Sequence, residues 1–208
     1  MTAIAVRNAT ALHVNLGDPR AVAQMLAETR SLVGGHFELL GGSHSDTFVR
    51  FSRVAAQPEA LDTTARWLLP SVSAWMPDVV AVPTTAGVAL AATLAKRLGL
   101  TLALADVGED GRPRGFHSPD GLADRRVLLV NDVVTTGDGV CALAELVRDA
   151  GAVVAGATWF LTRDDVTVSD RINAPTAAIG ELHLAQWSLD ECPLCASGED
   201  LTRAAEIN

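Results

Sequence analysis

Lysine is almost missing from this chain. Lys96 is the only one, and nowhere do Lys and Arg gather into a stripe. With a net charge of −9, the sequence lacks the basic face on which nucleic-acid binding depends, since that affinity comes largely from neutralised phosphates. No apolar stretch approaches the ~20 residues that a membrane-spanning helix needs, so partners in a bilayer are not expected. The N-terminus, Met1-Thr2-Ala3-Ile4-Ala5-Val6-Arg7, has neither the basic start nor the long apolar centre of a secretory signal. Cysteine is scarce too. Cys141, Cys192 and Cys195 do not make a disulfide framework, which fits a reducing compartment. No internal repeat or low-complexity segment is visible. What remains is 208 residues, 49% hydrophobic and 20% charged, the composition of one cytoplasmic domain with a good core.

Periodicity divides the chain. Asp18-Pro19 followed by Val22, Leu26 and Val33 predicts a helix with an Asp N-cap and Pro at its first position, ending at Gly34-Gly35. Residues 36–51 read as two short strands about a Gly-Gly turn. A second helix is expected from Gln57-Pro58 through Leu61, Ala65, Leu68 and Leu69 to Pro70. From Asp78 onward strands and helices alternate: strand 78–82, helix 88–98, strand 100–105, strand 126–130, a helix through Val140, Leu143, Leu146 and Val147, and strand 152–161. Short branched runs separated by helix-length segments predict an α/β fold, a mostly parallel sheet with helices on both faces. Such sheets bind ligands at the carboxyl ends of their strands.

One of those ends is distinctive. The strand Arg126-Val127-Leu128-Leu129-Val130 runs into Asn131-Asp132-Val133-Val134 and then Thr135-Thr136-Gly137-Asp138-Gly139 before the helix begins. A hydroxyl- and glycine-rich turn that opens a helix is suited to an anion. Successive N–H groups point into it, the helix dipole adds positive charge, and glycine lets the backbone come close. Thr135 and Thr136 add hydroxyl donors. Asp132 would repel a phosphate, so its expected role is to accept from sugar hydroxyls or to help hold a divalent cation.

Three further loops follow strands. Pro83-Thr84-Thr85-Ala86-Gly87 can offer amides to an anion, or be an ordinary strand–helix turn. Residues 106–124 form a polar stretch with no apolar period, carrying Arg112, Arg114 and His117. A loop of that length reads as an active-site lid or as a surface excursion. In the turn Leu161-Thr162-Arg163-Asp164-Asp165, Arg163 can fork onto a carboxylate, or stand in solvent paired with a neighbouring Asp.

The strand, the acidic pair position and Thr-Thr-Gly resemble the phosphoribosyl-pyrophosphate (PRPP) signature of the type I phosphoribosyltransferases. The likeness is nearest to the orotate phosphoribosyltransferases, in the bacterial branch that ends in Cys-Pro-Leu-Cys. It rests on Gly-His-Phe-x-Leu at 35–39, His-Ser-Asp at 44–46, Gln57-Pro58, Pro-Asp-Val-Val at 77–80, the Pro83 loop, Arg114-Gly115-Phe116, Arg163 and Cys192-Pro193-Leu194-Cys195. The resemblance implies a single domain over residues 1–208, with a core at roughly 56–180 and a small hood from roughly 1–55 and the chain's end. It also implies a homodimer, Mg²⁺, and transfer of phosphoribose from PRPP to orotate with release of pyrophosphate. Residues 135–139 would then hold the 5′-phosphate, and Asn131 and Asp132 the ribose hydroxyls. Thr84, Thr85, Ala86 and Gly87 would meet pyrophosphate together with Arg112 and Arg114, where many relatives use a loop lysine. Arg163 would take the orotate carboxylate, with Phe37 beside the base.

The chain departs from that pattern at several points. Asn131 replaces the first acidic residue, Gly139 stands where a Ser or Thr is usual, Ala86 replaces one of a glycine pair, and Ser43 stands where Arg is common. These changes leave open a transferase for another carboxylated or purine base, or a regulatory protein that binds PRPP without catalysis. A single C-x-x-C lacks two of the four ligands a structural metal needs. With only His183 near in sequence, Cys192-Pro193-Leu194-Cys195 reads as a structural turn. Trp67, Trp75, Trp159 and Trp187 are expected in the core or at a dimer contact.

Overall fold

The computed structural model describes residues 11–39, 42–84, 87–108, 112–118, 120–163 and 167–203. In chain order the first half comprises β1 (Ala11–Val14), α1 (Pro19–Glu28), β2 (Leu32–Glu38), β3 (His44–Val49), α2 (Ser52–Ala55), α3 (Pro58–Ala74), β4 (Val79–Pro83), α4 (Val88–Leu98) and β5 (Thr101–Val107). The second half comprises β6 (Pro113–His117), β7 (Arg126–Val130), β8 (Val133–Val134), α5 (Asp138–Asp149), β9 (Val153–Arg163), α6 (Ser169–Ile172), β10 (Thr176–His183), a 3₁₀ turn (Leu189–Glu191), α7 (Pro193–Ala196) and β11 (Leu201–Arg203).

The large sheet runs β1-β10-β9-β7-β4-β5-β6, with β8 also against β9. Its five central strands are parallel, and antiparallel β1 and β6 close the two edges. The central strands β4 and β7 are apolar at nearly every position because both faces are covered. Val80, Val82, Leu128 and Val130 point to one side, where α1, α3 and α4 supply Val22, Leu26, Leu68, Val72, Leu90 and Leu94. Val79, Ala81, Val127 and Leu129 point to the other, against Val140, Leu143 and Val147 of α5 and Ile172 of α6. Alternation along each strand therefore splits the interior into two layers. Trp67 and Trp75 pack on the first layer and Trp159 in the second, as expected of core residues. Among the described residues no helix is long and apolar enough to cross a membrane.

A second, three-stranded sheet, β11-β2-β3, stands apart from the large one. Of the N-terminal stretch expected as a hood, only β2 and β3 lie in it. β1 pairs with β10, and α1 belongs to the main core.

Four local expectations are corrected. Asp18 caps α1 as foreseen, accepting from the Ala21 N–H at 2.9 Å. The helix stops at Glu28, however, and Val33, Gly34 and Gly35 are strand. Arg30, at φ 53°, supplies the left-handed residue expected of glycine, and Arg30 and Ser31 donate to the carbonyls of Ala27 and Leu26 in the manner of a Schellman stop. Pro70 does not end α3, which continues to Ala74. Pro70 is exposed, so water can serve the carbonyl that its missing N–H leaves behind. The polar stretch from 106 to 124 is not loop throughout. It holds β6, and Leu122 within it is buried. The strand starting at Val153 extends beyond Leu161 to Arg163.

Candidate active site

Because β4, β5, β7 and β9 are parallel, their carboxyl ends share one edge of the sheet, and the expected site residues fall there. Beyond β7 the backbone stays locked to β9. The Asn131 N–H donates to the Thr158 carbonyl at 2.9 Å, and the Phe160 N–H donates to the Asp132 carbonyl at 2.8 Å. The Asn131 side-chain oxygen accepts from the Asp132 N–H at 2.9 Å. Asp132 is thus fixed by its main chain, half-buried. Burial pushes its carboxyl above the ordinary carboxylate range, and the N–H groups of Val133 and of Asp132 itself offset this only in part.

The turn that follows has the form expected of an anion cup. Gly137 adopts φ 79°, a left-handed conformation natural to glycine, and α5 begins at Asp138. The first intrahelical bond runs from the Cys141 N–H to the Gly137 carbonyl at 3.0 Å, so the amides of Gly139 and Val140 precede the ladder. The Thr136 hydroxyl donates to Asp138 Oδ2 at 2.9 Å. Thr135, Thr136, Asp138 and Gly139 are exposed, and Gly137 is buried.

Arg171 of α6 braces this turn, and no sequence motif announced it. Its guanidinium donates to the Thr136 carbonyl at 2.6 Å and to Asp138 Oδ1 at 2.5 Å. With the Thr136 carbonyl held outward, the trans peptide turns the Gly137 N–H the opposite way. The same guanidinium, and then the Thr136 hydroxyl, hold the Asp138 carboxyl below its usual range.

The loop after β4 packs directly on the loop after β7. A methyl group on Gly87 would stand 3.2 Å from both the Asn131 carbonyl carbon and the Asp132 nitrogen, so any side chain there must push the two loops a few tenths of an ångström apart. The Thr84 N–H is committed to the Ala105 carbonyl at 2.9 Å, which leaves its exposed hydroxyl as the group it can offer a ligand. Thr85 and Ala86 lie outside the described residues. The β5–β6 hairpin brings its cations to the same edge. The Gly108 N–H donates to the Arg112 carbonyl at 2.9 Å, the Arg114 side chain lies over Gly108, and the Arg112 charge reaches Asp138. His117 is tied to Asp106 at 2.7 Å at the exposed face of the hairpin.

Residues 51–174 match the sequence model of the phosphoribosyl transferase domain. The chain belongs to the phosphoribosyltransferase family. Among curated relatives, the orotate phosphoribosyltransferase of Caldanaerobacter subterraneus is 33% identical over 171 residues, covering 81% of this chain and 87% of the relative. That of Chlorobium phaeobacteroides is 31% identical over 173 residues, covering 82% and 86%. Among solved structures, the orotate phosphoribosyltransferase of Aeropyrum pernix superposes with a TM-score of 0.66 at 22% identity, over 77% of this chain and 93% of that one. An adenine phosphoribosyltransferase from Thermoanaerobacter pseudethanolicus gives 0.56 at 19%, over 65% and 88%. At those identities the two superpositions speak for the fold.

In this phosphoribosyltransferase the remaining predicted residues fall in two places. Arg163 ends β9 and is 4% exposed, so the alternative of a solvated surface arginine is excluded. Asp164 and Asp165 lie outside the described residues. Phe37 sits in the small sheet, 5% exposed, its ring 5.7 Å from that of Phe48. Cys192 and Cys195 do not stand alone as expected, because His36 and His44 lie against them. His183, the neighbour by sequence, instead pairs with Ala11 in the large sheet. Sequence proximity was the wrong guide, since the histidines come from a hairpin about 150 positions earlier.

Proposed function

We propose that this phosphoribosyltransferase transfers the 5-phosphoribosyl group of PRPP to a nitrogen of orotate, releasing pyrophosphate and forming orotidine 5′-phosphate. The observation that carries the reading is the glycine turn at 135–139, opening α5 beside the carboxylate of Asp132 and braced by Arg171. Support for orotate comes from the curated relatives of that name and from Arg163, a buried cation at a strand end suited to a carboxylate-bearing base.

During transfer the bond from ribose C1 to pyrophosphate breaks as the bond to the base nitrogen forms, and positive charge develops on the ring. In this reading the hydroxyls of Thr135 and Thr136 and the amides of Gly137, Asp138 and Gly139 hold the 5′-phosphate. Asp132 and Asn131 face the ribose hydroxyls, and the Asp132 carboxylate opposes the ring's charge. Arg112 and Arg114, with the residues 84–87, receive the pyrophosphate. Arg163 orients the base, with Phe37 as a wall of the small sheet. One half-buried carboxylate suits Mg²⁺, which takes one or two protein oxygens and fills its shell from phosphates and water. When bound it would neutralise the leaving pyrophosphate. The small sheet is proposed as the hood of a single domain, the assembly as a homodimer, and the cytoplasm as its compartment.

The test is direct. Protein mixed with PRPP, Mg²⁺ and orotate should consume orotate absorbance and release pyrophosphate in equal amounts. A panel of carboxylated pyrimidines and purines run in parallel should rank orotate first. Turnover of another base would overturn the substrate, and PRPP binding with no turnover of any base would replace the enzyme with a binding protein.

A further inference from the structure

Four side chains from opposite ends of the sequence meet at the small sheet. His36 is on β2, His44 on β3, Cys192 is the N-cap of α7 and Cys195 lies within its single turn. One ligand atom of each lies within 4.8 Å of all the others. His36 Nε2 is 2.9 Å from His44 Nδ1 and 3.5 Å from each sulfur, and Cys195 Sγ is 3.2 Å from His44 Nδ1. Around a tetrahedral ion with bonds of ~2.0 Å to nitrogen and ~2.3 Å to sulfur, ligand atoms stand about 3.3–3.8 Å apart. These four separations lie within a few tenths of an ångström of that geometry, and the remaining two pairs lie within 4.8 Å.

The surroundings favour a cation over a hydrogen-bonded knot. His36, His44 and Cys192 are 3%, 2% and 3% exposed, and thiols are weak hydrogen-bonding groups that do little for a buried imidazole. The second shell is in place. His36 Nδ1 lies 2.8 Å from the Glu199 carbonyl, an acceptor only, so Nδ1 carries the proton and Nε2 presents its lone pair to the cluster. The backbone also prepares the meeting. His44 and Trp187 exchange N–H···O bonds at 2.8 and 2.9 Å, and Leu201 of β11 pairs with His36, which brackets the C-x-x-C turn between two contacts to the hairpin.

We propose that His36, His44, Cys192 and Cys195 bind one Zn²⁺ per chain in a closed structural site that clasps the C-terminal segment to the β2–β3 hairpin. Two thiolates balance the ion's charge, two neutral imidazoles complete the tetrahedron, and four protein ligands leave no open position for chemistry. The site shares no residue with the phosphate turn and stands independently of the choice of base.

The test uses the full-length chain, free of any histidine tag and purified without chelator. Elemental analysis should find one zinc per chain, and exchange into Co²⁺ should give the intense visible bands of a tetrahedral sulfur-ligated ion. A Cys192→Ser/Cys195→Ser variant should fall below about a tenth of an equivalent, while Cys141→Ser keeps the full complement. If the double variant fails to fold, the wild-type stoichiometry and cobalt spectrum decide alone. Wild-type protein that retains no metal after zinc loading and desalting, or gives the weak spectrum of octahedral cobalt, overturns the site.

Discussion

Gly87 and Asn131 touch backbone to backbone: a methyl group on Gly87 would stand 3.2 Å from the Asn131 carbonyl carbon. Both sides are anchored. Asn131 and Asp132 are both hydrogen-bonded to β9, and Gly87 directly precedes α4. Gly87→Ala is therefore expected to separate the two loops. Overpacking of this kind costs ~1–3 kcal/mol, or several degrees of melting temperature for a domain of this size. PRPP affinity should fall at least about tenfold. Calorimetric titration beside a thermal melt checks both, and unchanged PRPP binding would mean that the loops do not act together.

Gly139 is the opposite case. No atom lies within 4 Å of where its side chain would project, so Gly139→Ser introduces a hydroxyl at the mouth of the turn without strain. A hydrogen bond to a charged group is worth ~1.5 kcal/mol or more. PRPP is expected to bind about tenfold tighter, read by titration. Weaker binding would place the phosphate elsewhere.

Asp132 gives the free protein a pH dependence of definite sign. Its folded carboxyl holds a proton more tightly than the unfolded one, because burial outweighs the two amides. The stability this provides is complete below the unfolded value of ~3.9 and is lost as pH rises through the raised folded value. Asp132→Asn cannot ionise, so its stability relative to wild type should increase from pH 4 to pH 7 in urea melts, while turnover is lost. In the wild type, PRPP and Mg²⁺ should bind more strongly as pH rises through the same window. A flat stability difference between the two proteins would show that Asp132 ionises as freely as in solvent.

Arg171 is a positioning residue. Its pairing with exposed Asp138 is screened by solvent and adds little to stability, so Arg171→Ala should melt close to wild type. The Thr136 carbonyl loses its anchor, however, and KM for PRPP is expected to rise several-fold with KM for the base unchanged. Arg171→Lys should not restore it, because one ammonium cannot reproduce a fork onto two acceptors. A full rescue by Lys would reduce the role to charge alone.

Arg163→Ala should separate the two substrates the other way. Losing a buried charged partner of the base is expected to raise KM for orotate about 30-fold or more, from ~2–3 kcal/mol, with PRPP binding altered less than about threefold. Equal losses in both would move Arg163 out of the base site.

Sequence was most legible where cause and effect are close along the chain. Strand β4, helix α4 and the turn into α5 could be read because each carries its own signal: an all-apolar run, a 3.6-residue period, and glycine beside hydroxyls. Reading failed where a distant partner decides. Val33 fits the period of α1, yet β3 and β11 claim it and its neighbours for a strand. Arg30 stops that helix in a conformation for which glycine is the usual cue. Arg171 sits in an unremarkable stretch and matters only because α6 folds over the turn at α5. His36 and His44 looked like parts of a motif. Their chemistry appears only when the C-terminal segment returns to them.

That return sets a timetable for biosynthesis. Leu201 pairs with His36, so the β2–β3 hairpin, complete at Val49, leaves the ribosome with one flank bare until about 150 further residues have been made. At ~5–20 residues per second the interval is on the order of 10–30 s, during which the unfinished edge is open to rival strands. Residues 192–203 act as a latch, and a nascent chain stalled short of them would carry a finished main sheet beside an unfastened small one.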